Sequence, residues 1–230
     1  MQREVLRNRL YITGGSTGLG NAICRYFAKT SWNVTCFGRH NPHIKNVTFF
    51  EHDFTSAKTI STPSHLNYCD VFIMNAGAFT GYSLDEYSYE NMHAMLQVNL
   101  VGNLQLLREL AANDKMPSTV IIIGSTAATH GHPDIMYAAC KAALLAVQQS
   151  MKKIYRDTQT HYLELGRIEG TNFTASLAPS QRQYLSKHLG KGGKQKVISV
   201  DSICQMIDLI IRENIRSSRI SIGDGTRWSN

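Results

Sequence analysis

A chain of 230 residues, 43% of them apolar, is long enough to bury one large core, and no apolar run in it approaches the ~18–20 residues of a membrane span. The formal charge of +7 is compatible with nucleic acid, but no nucleic-acid-binding motif is present, and a basic enzyme handling phosphorylated cofactors or anionic substrates explains the charge as well. The five cysteines (Cys24, Cys36, Cys69, Cys140, Cys204) are odd in number and never paired as Cys-x-x-Cys, which points to reduced thiols in a cytoplasmic protein and away from a disulfide framework or a metal site. The first ten residues are charged and lack an apolar core, so a signal peptide is not expected there.

Leu10-Tyr11-Ile12-Thr13 reads as a first strand, followed at once by Gly14-Gly15-Ser16-Thr17-Gly18-Leu19-Gly20 and then by helical apolar spacing (Ala22, Ile23, Tyr26, Phe27). Strand, glycine-rich turn and helix in that order let a backbone approach a pyrophosphate lying against a helix N-terminus. Residues 32–37 read as a second strand ending at Gly38-Arg39-His40. An acid at this point would bond the ribose hydroxyls of NAD, whereas an arginine accommodates the 2′-phosphate of NADP; Arg39 stands there, so NADP(H) is expected over NAD(H).

A third strand is expected over 47–53, with Asp53-Phe54 placed to meet an adenine edge, then a loop or irregular helix over 54–68 containing Pro63. Asp70 to Met74 is a fourth apolar run, ending in Asn75-Ala76-Gly77. A long helical pattern covers 85–111. Asn99 sits inside it, and such an amide among apolar neighbours predicts a local kink or a buried water. Residues 119–124 form a near-continuous apolar strand of the covered, parallel kind, and Ser125 stands just past its end, where open α/β sheets place their sites. A strand over 162–168, a variable segment over 170–196, a helix over 200–213 and a last strand over 219–223 complete the pattern. The β-α alternation runs without a linker, which predicts a single α/β domain over 1–230: a doubly wound parallel sheet of Rossmann type in three αβα layers.

If a helix begins near Met136, Tyr137 and Lys141 share one face, one turn apart. A cation there is expected to bring the phenol down from its ordinary pKa near ~10 toward the range useful for acid/base work, with Ser125 donating to a carbonyl oxygen. A Tyr-x-x-x-Lys pair by itself is common on helix surfaces; the rest of the chain gives this one its weight.

Taken together, Thr13-Gly14-x-x-x-Gly18-x-Gly20, Asp53, Asn75-Ala76-Gly77, Asn99, Ser125, Tyr137-x-x-x-Lys141 and Gly223-Asp224-Gly225 resemble the short-chain dehydrogenase/reductases, in their classical form, over essentially the whole chain. The resemblance implies a homodimer or homotetramer, through the helices of 85–111 and 137–155. It also implies roles. Tyr137 would be the general acid in reduction and the base in oxidation. Lys141 would lower its pKa and bond the nicotinamide ribose, Ser125 would orient the substrate carbonyl, and Asn99 would hold a water in a proton relay. Gly14, Ser16, Thr17, Gly18, Leu19 and Gly20 would line the pyrophosphate turn, Arg39 the 2′-phosphate, Asp53 and Phe54 the adenine, and Asn75, Ala76 and Gly77 the adenosine ribose. Where the family commonly has Pro-Gly after the sixth strand, this chain has Ile168-Glu169-Gly170. Thr174 follows Gly170 at the family's spacing for holding the carboxamide.

Phe79, Ala127, His132 and Phe173 are the expected substrate contacts. A basic flap within 171–196 (Arg182, Lys187, His188, Lys191, Lys194, Lys196, with Gly190, Gly192 and Gly193) would favour an anionic or carrier-bound substrate such as a 3-oxoacyl thioester. The expected activity is NADP(H)-dependent reduction of a ketone or aldehyde, or oxidation of the alcohol. The competing class is a catalytically silent NADP(H)-binding or redox-sensing protein on the same fold.

Overall fold

The apolar runs become strands whose alternate residues face two separate cores. The computed structural model describes residues 8–55, 68–112, 116–171, 177–188 and 197–222. Within them lie β1 (Arg9–Thr13), α1 (Gly18–Phe27), β2 (Asn33–Gly38), β3 (Val47–Glu51), β4 (Val71–Met74), α2 (Tyr89–Leu96), α3 (Gly102–Ala112), β5 (Thr119–Ile123), α4 (Ala127–His130), α5 (Ile135–Ile154), β6 (Gln159–Leu165), α6 (Pro179–His188), α7 (Val200–Arg212) and β7 (Arg219–Ile222). The seven strands form one parallel sheet in the order β3-β2-β1-β4-β5-β6-β7. The order reverses between β1 and β4, and at such a switch point the crevice above the strand ends receives ligands.

Leu10, Ile12, Val71, Ile73, Ile121, Ile123, Leu163 and Leu165 face one side, packing with Ile23 and Phe27 of α1 and Ile203, Ile207 and Ile210 of α7. Tyr11, Phe72, Met74, Val120, Ile122 and Tyr162 face the other, against Leu106, Leu107 and Leu110 of α3 and Leu144 and Met151 of α5. Two-sided burial is why these strands read as continuous apolar runs rather than alternating ones. All five cysteines are free and buried. Among the described residues no helix is long and apolar enough to cross a membrane, and no cluster suited to a metal ion is present.

Several expected boundaries move. The helix read over 85–111 is broken: a short 3₁₀ turn at Leu84–Glu86 precedes α2, and a π-helical turn, Gln97–Val101, separates α2 from α3. The cause is Asn99, whose Nδ2 donates to Met95 O at 3.0 Å, the carbonyl that the ordinary α-ladder would use; Gly102 N then reaches back five residues to Gln97 O. The third strand stops at Glu51 and the sixth runs from Gln159 to Leu165 rather than over 162–168; Ile168 instead makes an isolated bridge to Ile198. Within the expected flap, residues 179–188 are the helix α6, with Leu185 buried. Lys191, Lys194, Lys196, Gly190, Gly192, Gly193, Phe173, Thr174, Pro63 and Gly223-Asp224-Gly225 fall outside the described residues.

Candidate active site

The turn between β1 and α1 is held open from below. Thr13 Oγ1 accepts from Asn75 N and Ala76 N, both at 2.9 Å, and donates to Asn103 Oδ1 at 2.6 Å, so one hydroxyl ties β1, the end of β4 and α3 together. Asn75 Nδ2 donates to Thr13 O and Gly14 O at 2.9 and 3.0 Å. A Cβ on Gly20 would stand 2.2 Å from Gly14 O, so only glycine lets α1 start this close under the turn. Gly18, at φ +54°, faces open space. Thr17 caps α1 without a side-chain hydrogen bond, and the first turn carries no acid. A helix N-terminus with free donors, no negative charge and a glycine floor fits a pyrophosphate group.

Arg39 and His40 are exposed beside this turn, and Ser16 Oγ donates to His40 O, which holds the end of β2 against it. Asp53 is exposed, and its carboxyl is held below the ordinary range chiefly by the Thr55 backbone donor, with the Arg39 guanidinium assisting. Phe54 corrects the expectation for its side chain. Its ring is buried against α3, where a Cβ on Gly102 would come within 2.8 Å of it, so only its backbone is available to an adenine.

The chemical residues converge at the ends of β4 and β5. Asn99 is fully buried; its Nδ2 also donates to Ala78 O and its Oδ1 accepts from Ala78 N, so the π-helical turn is bolted to the segment after β4. Lys141 is buried, donates to Ile123 O at 2.9 Å and stands 5.6 Å from the centre of the Tyr137 ring. Asn99 Oδ1 and Lys141 Nζ lie 2.8 and 3.7 Å from the point where a Gly77 Cβ would stand. Ser125 hydrogen-bonds the Tyr137 side chain, and its Oγ accepts from Ala127 N at 3.1 Å.

The electrostatics reverse one expectation. Tyr137 is pushed up to about 12, because burial outweighs the Ser125 hydrogen bond that favours its phenolate. Burial also brings Lys141 down to about 8. Lys141 therefore loses its proton before Tyr137 would, and no ammonium remains to stabilise a phenolate when the phenol titrates. At neutral pH the pair is a phenol beside an ammonium, the arrangement of a proton donor.

Phe79, His132 and Tyr137 form an edge-to-face trio with centroids 5.2–5.5 Å apart. His132 is held below the ordinary histidine range by burial, so its imidazole is neutral at pH 7. Ala127 is buried in the same apolar cluster as Tyr87, Met95 and Tyr137. Beside it, a cleft of about 240 Å³ is lined by His130, Gly131, His132, Pro133 and His188. Tyr184 Oη of α6 donates to Pro133 O at 3.3 Å, which seats that helix over the cleft. Gly170 is exposed at φ +70°. Glu169, which occupies the family's proline position, donates its N–H to Ile198 O at 2.9 Å, a bond that proline cannot make.

Three supporting residues escaped the sequence reading. Asp134 caps α5 by accepting from Tyr137 N at 2.9 Å; an Asp just ahead of a helix, three residues before the Tyr, was the available signal. Asn103, one turn after Asn99, donates to Ala76 O at 2.9 Å. Tyr162 lies on β6 under the Ser125 turn: its Oη accepts from Ser125 N at 3.2 Å and donates to Lys141 O at 3.0 Å. Nothing local in the sequence marks Tyr162.

A model of the short chain dehydrogenase family matches residues 8–182. An uncharacterized oxidoreductase of Staphylococcus epidermidis is 24% identical over 160 residues, covering 62% of this chain and 69% of the relative. A 3-oxoacyl-[acyl-carrier-protein] reductase of Rickettsia bellii is 25% identical over 197 residues, covering 79% and 80%. Among solved structures, an alcohol dehydrogenase from Thermococcus sibiricus complexed with 5-hydroxy-NADP superposes with a TM-score of 0.74 over 97% of this chain and 98% of its own, at 19% identity, a likeness of fold.

Proposed function

The chain belongs to the short-chain dehydrogenase family, and from that premise we propose that it is an NADP(H)-dependent reductase of ketones or aldehydes with Tyr137 as the proton donor. The observation that carries the reading is the convergence of Ser125, Tyr137 and Lys141, with Asn99 across Gly77, at the strand ends beside the glycine turn. Gly14, Ser16, Gly18, Leu19 and Gly20 would hold the pyrophosphate, Asn75 and Gly77 the adenosine ribose, and Arg39 the 2′-phosphate. A dihydronicotinamide bound there supplies the hydride.

The chain's own residues handle the proton. Ser125 donates to the substrate carbonyl and orients it. As the carbonyl carbon gains a hydride, its oxygen takes the proton of Tyr137, and the ammonium of Lys141 offsets the phenolate left behind. The proton then returns to Tyr137 from Lys141, which is refilled from the side of Asn99. At neutral pH the phenol of Tyr137 carries the proton that the reductive direction needs. Arg182, Lys187 and His188, exposed on α6 beside the histidine-lined cleft, support an anionic substrate, with a carrier-bound 3-oxoacyl thioester as the leading case.

The test is a panel of 3-oxoacyl thioesters, ketones and aldehydes with NADPH, run on the native chain and on Tyr137→Phe. The variant is expected to bind NADPH nearly as well while losing on the order of 10²–10⁴ in turnover. Substantial residual turnover in the variant would refute the proton-donor role, and silence of the native chain across the panel would favour a cofactor-binding sensor.

A further inference from the structure

Asp134 is fully buried, and its carboxylate accepts from donors on three separate segments. Oδ1 takes Tyr137 N at 2.9 Å and Tyr87 Oη at 2.6 Å. Oδ2 takes Thr80 N at 3.1 Å and Gly81 N at 3.0 Å, and the Thr80 hydroxyl, 2.9 Å from Oδ2 and 2.5 Å from Tyr87 Oη, completes a hydroxyl–carboxylate triangle in which two protons serve three contacts. Three of these are main-chain N–H groups, which cannot turn round to accept. Asparagine, otherwise an equally good helix cap, would aim its NH₂ at one of them in either orientation, so only an acceptor-only group satisfies the site. The clamped Thr80–Gly81 segment is also the wall against which Leu177 and Leu185 close: both come within 3.3 Å of the point where a Gly81 Cβ would stand.

Resting on the reading of Tyr137 as proton donor, we propose that Asp134 is a positioning residue of this site. Its carboxylate locks the Phe79–Gly81 wall and Tyr87 against the first turn of α5, and so fixes the substrate-facing surface relative to the Tyr137 hydroxyl. The clamp has an electrostatic consequence, because its negative charge near the phenol opposes ionisation of Tyr137. The titratable groups facing this pair are Lys141 and Cys140 on α5, His132 on the loop before it, Tyr162 on β6 and Tyr87 ahead of α2. His132 is neutral at pH 7 and the ammonium of Lys141 is spent above about 8, which leaves Asp134 as the described charge acting on Tyr137 in alkali.

The experiment follows Tyr137 by NMR of tyrosine labelled at 13Cζ, its resonance assigned by loss in Tyr137→Phe, between pH 8 and 11. In the native chain it stays at its phenol position throughout. In Asp134→Asn and in Asp134→Ser, which keeps a helix-capping oxygen, the midpoint lies below the native one, the direction in which loss of a nearby negative charge moves a phenol. In Tyr87→Phe, which loosens the clamp but keeps the charge, it stays put. NADPH affinity holds in all three variants, while kcat on the carbonyl substrate falls more than tenfold in the Asp134 variants. A folded Asp134 variant, by circular dichroism, that keeps the native kcat overturns the proposal, as does a Tyr87→Phe chain that titrates like Asp134→Asn. A Tyr137→Phe chain that still turns over would refute the donor assignment without altering the titration, so the two readings fail separately.

Discussion

Gly124→Ala tests how the Ser125 turn is supported. An ideal Cβ at Gly124 would stand 2.1 Å from Cζ and 2.3 Å from Cε1 of Tyr162, a fully buried ring that cannot swing aside. Either β5 and β6 separate at their ends or the ring moves, and in the second case its Oη leaves both Ser125 N and Lys141 O. Overpacking of this kind costs about 1–3 kcal/mol, and each buried hydrogen bond lost adds about 1 kcal/mol, so a destabilisation of about 3 kcal/mol is expected. For a chain of this length that corresponds to a fall in Tm of about 6–12 °C. Urea unfolding followed by circular dichroism measures it. The companion variants are Tyr162→Phe, which removes only the hydroxyl, and the double variant Gly124→Ala/Tyr162→Ala, where the new methyl group has room. Each Ala change alone destabilises, but the double variant is expected to be more stable than the sum of the two predicts. Additive losses, or a Gly124→Ala chain within about 0.5 kcal/mol of the native one, would refute the contact as the reason for the glycine.

Two further perturbations follow from the charges. Arg39→Ala should weaken NADPH binding by about 10–100-fold, the worth of one charge-assisted hydrogen-bonding site, and change NADH binding far less; equal losses for both cofactors would place the guanidinium away from the 2′-phosphate. His161 is fully buried on β6, with Nδ1 3.0 Å from Ser218 Oγ, and burial brings it down to about 4. The folded chain therefore refuses a proton that the unfolded chain accepts below about 6.5, so stability is complete above that pH and falls as pH is lowered toward about 4, by about 1–2 kcal/mol at pH 5. Urea midpoints at pH 7 and pH 5 measure this, and a His161→Gln chain that keeps the full slope would transfer the effect to His52 and His132, which burial also depresses.

Much of the site was legible because its signals are local. The glycines of the first turn sit between an apolar run and a helical spacing. Ser125 comes just past the strand Thr119–Ile123, after Gly124, and Tyr137 and Lys141 fall one turn apart on whatever helix contains them. Even the break at Asn99 was visible as an amide inside an apolar stripe, although its form, a π-helical turn, depends on Met95 O and Ala78 meeting the same side chain. Phe54 shows the limit. Its position matched the family, but an aromatic side chain faces a ligand or a core according to what stands opposite, and Gly102 stands opposite.

The chain's periodicity and turn chemistry pointed to the β-α alternation and the parallel sheet, and the motifs that carry the family resemblance singled out the converging residues, because those signals lie within a turn or two of one another. Only the tertiary structure decided how those residues behave. Thr13 meets Asn103 across ninety positions, Tyr162 reaches Ser125 across thirty-seven, and Asp134 gathers donors from Thr80 and Tyr87 more than forty positions away. Burial, which no local pattern reports, is what raised Tyr137 and lowered Lys141 against the direction their spacing suggested. Desolvation is a sum over everything packed around a group, so the chemical state of the pair was set by the fold and not by the four-residue interval between them.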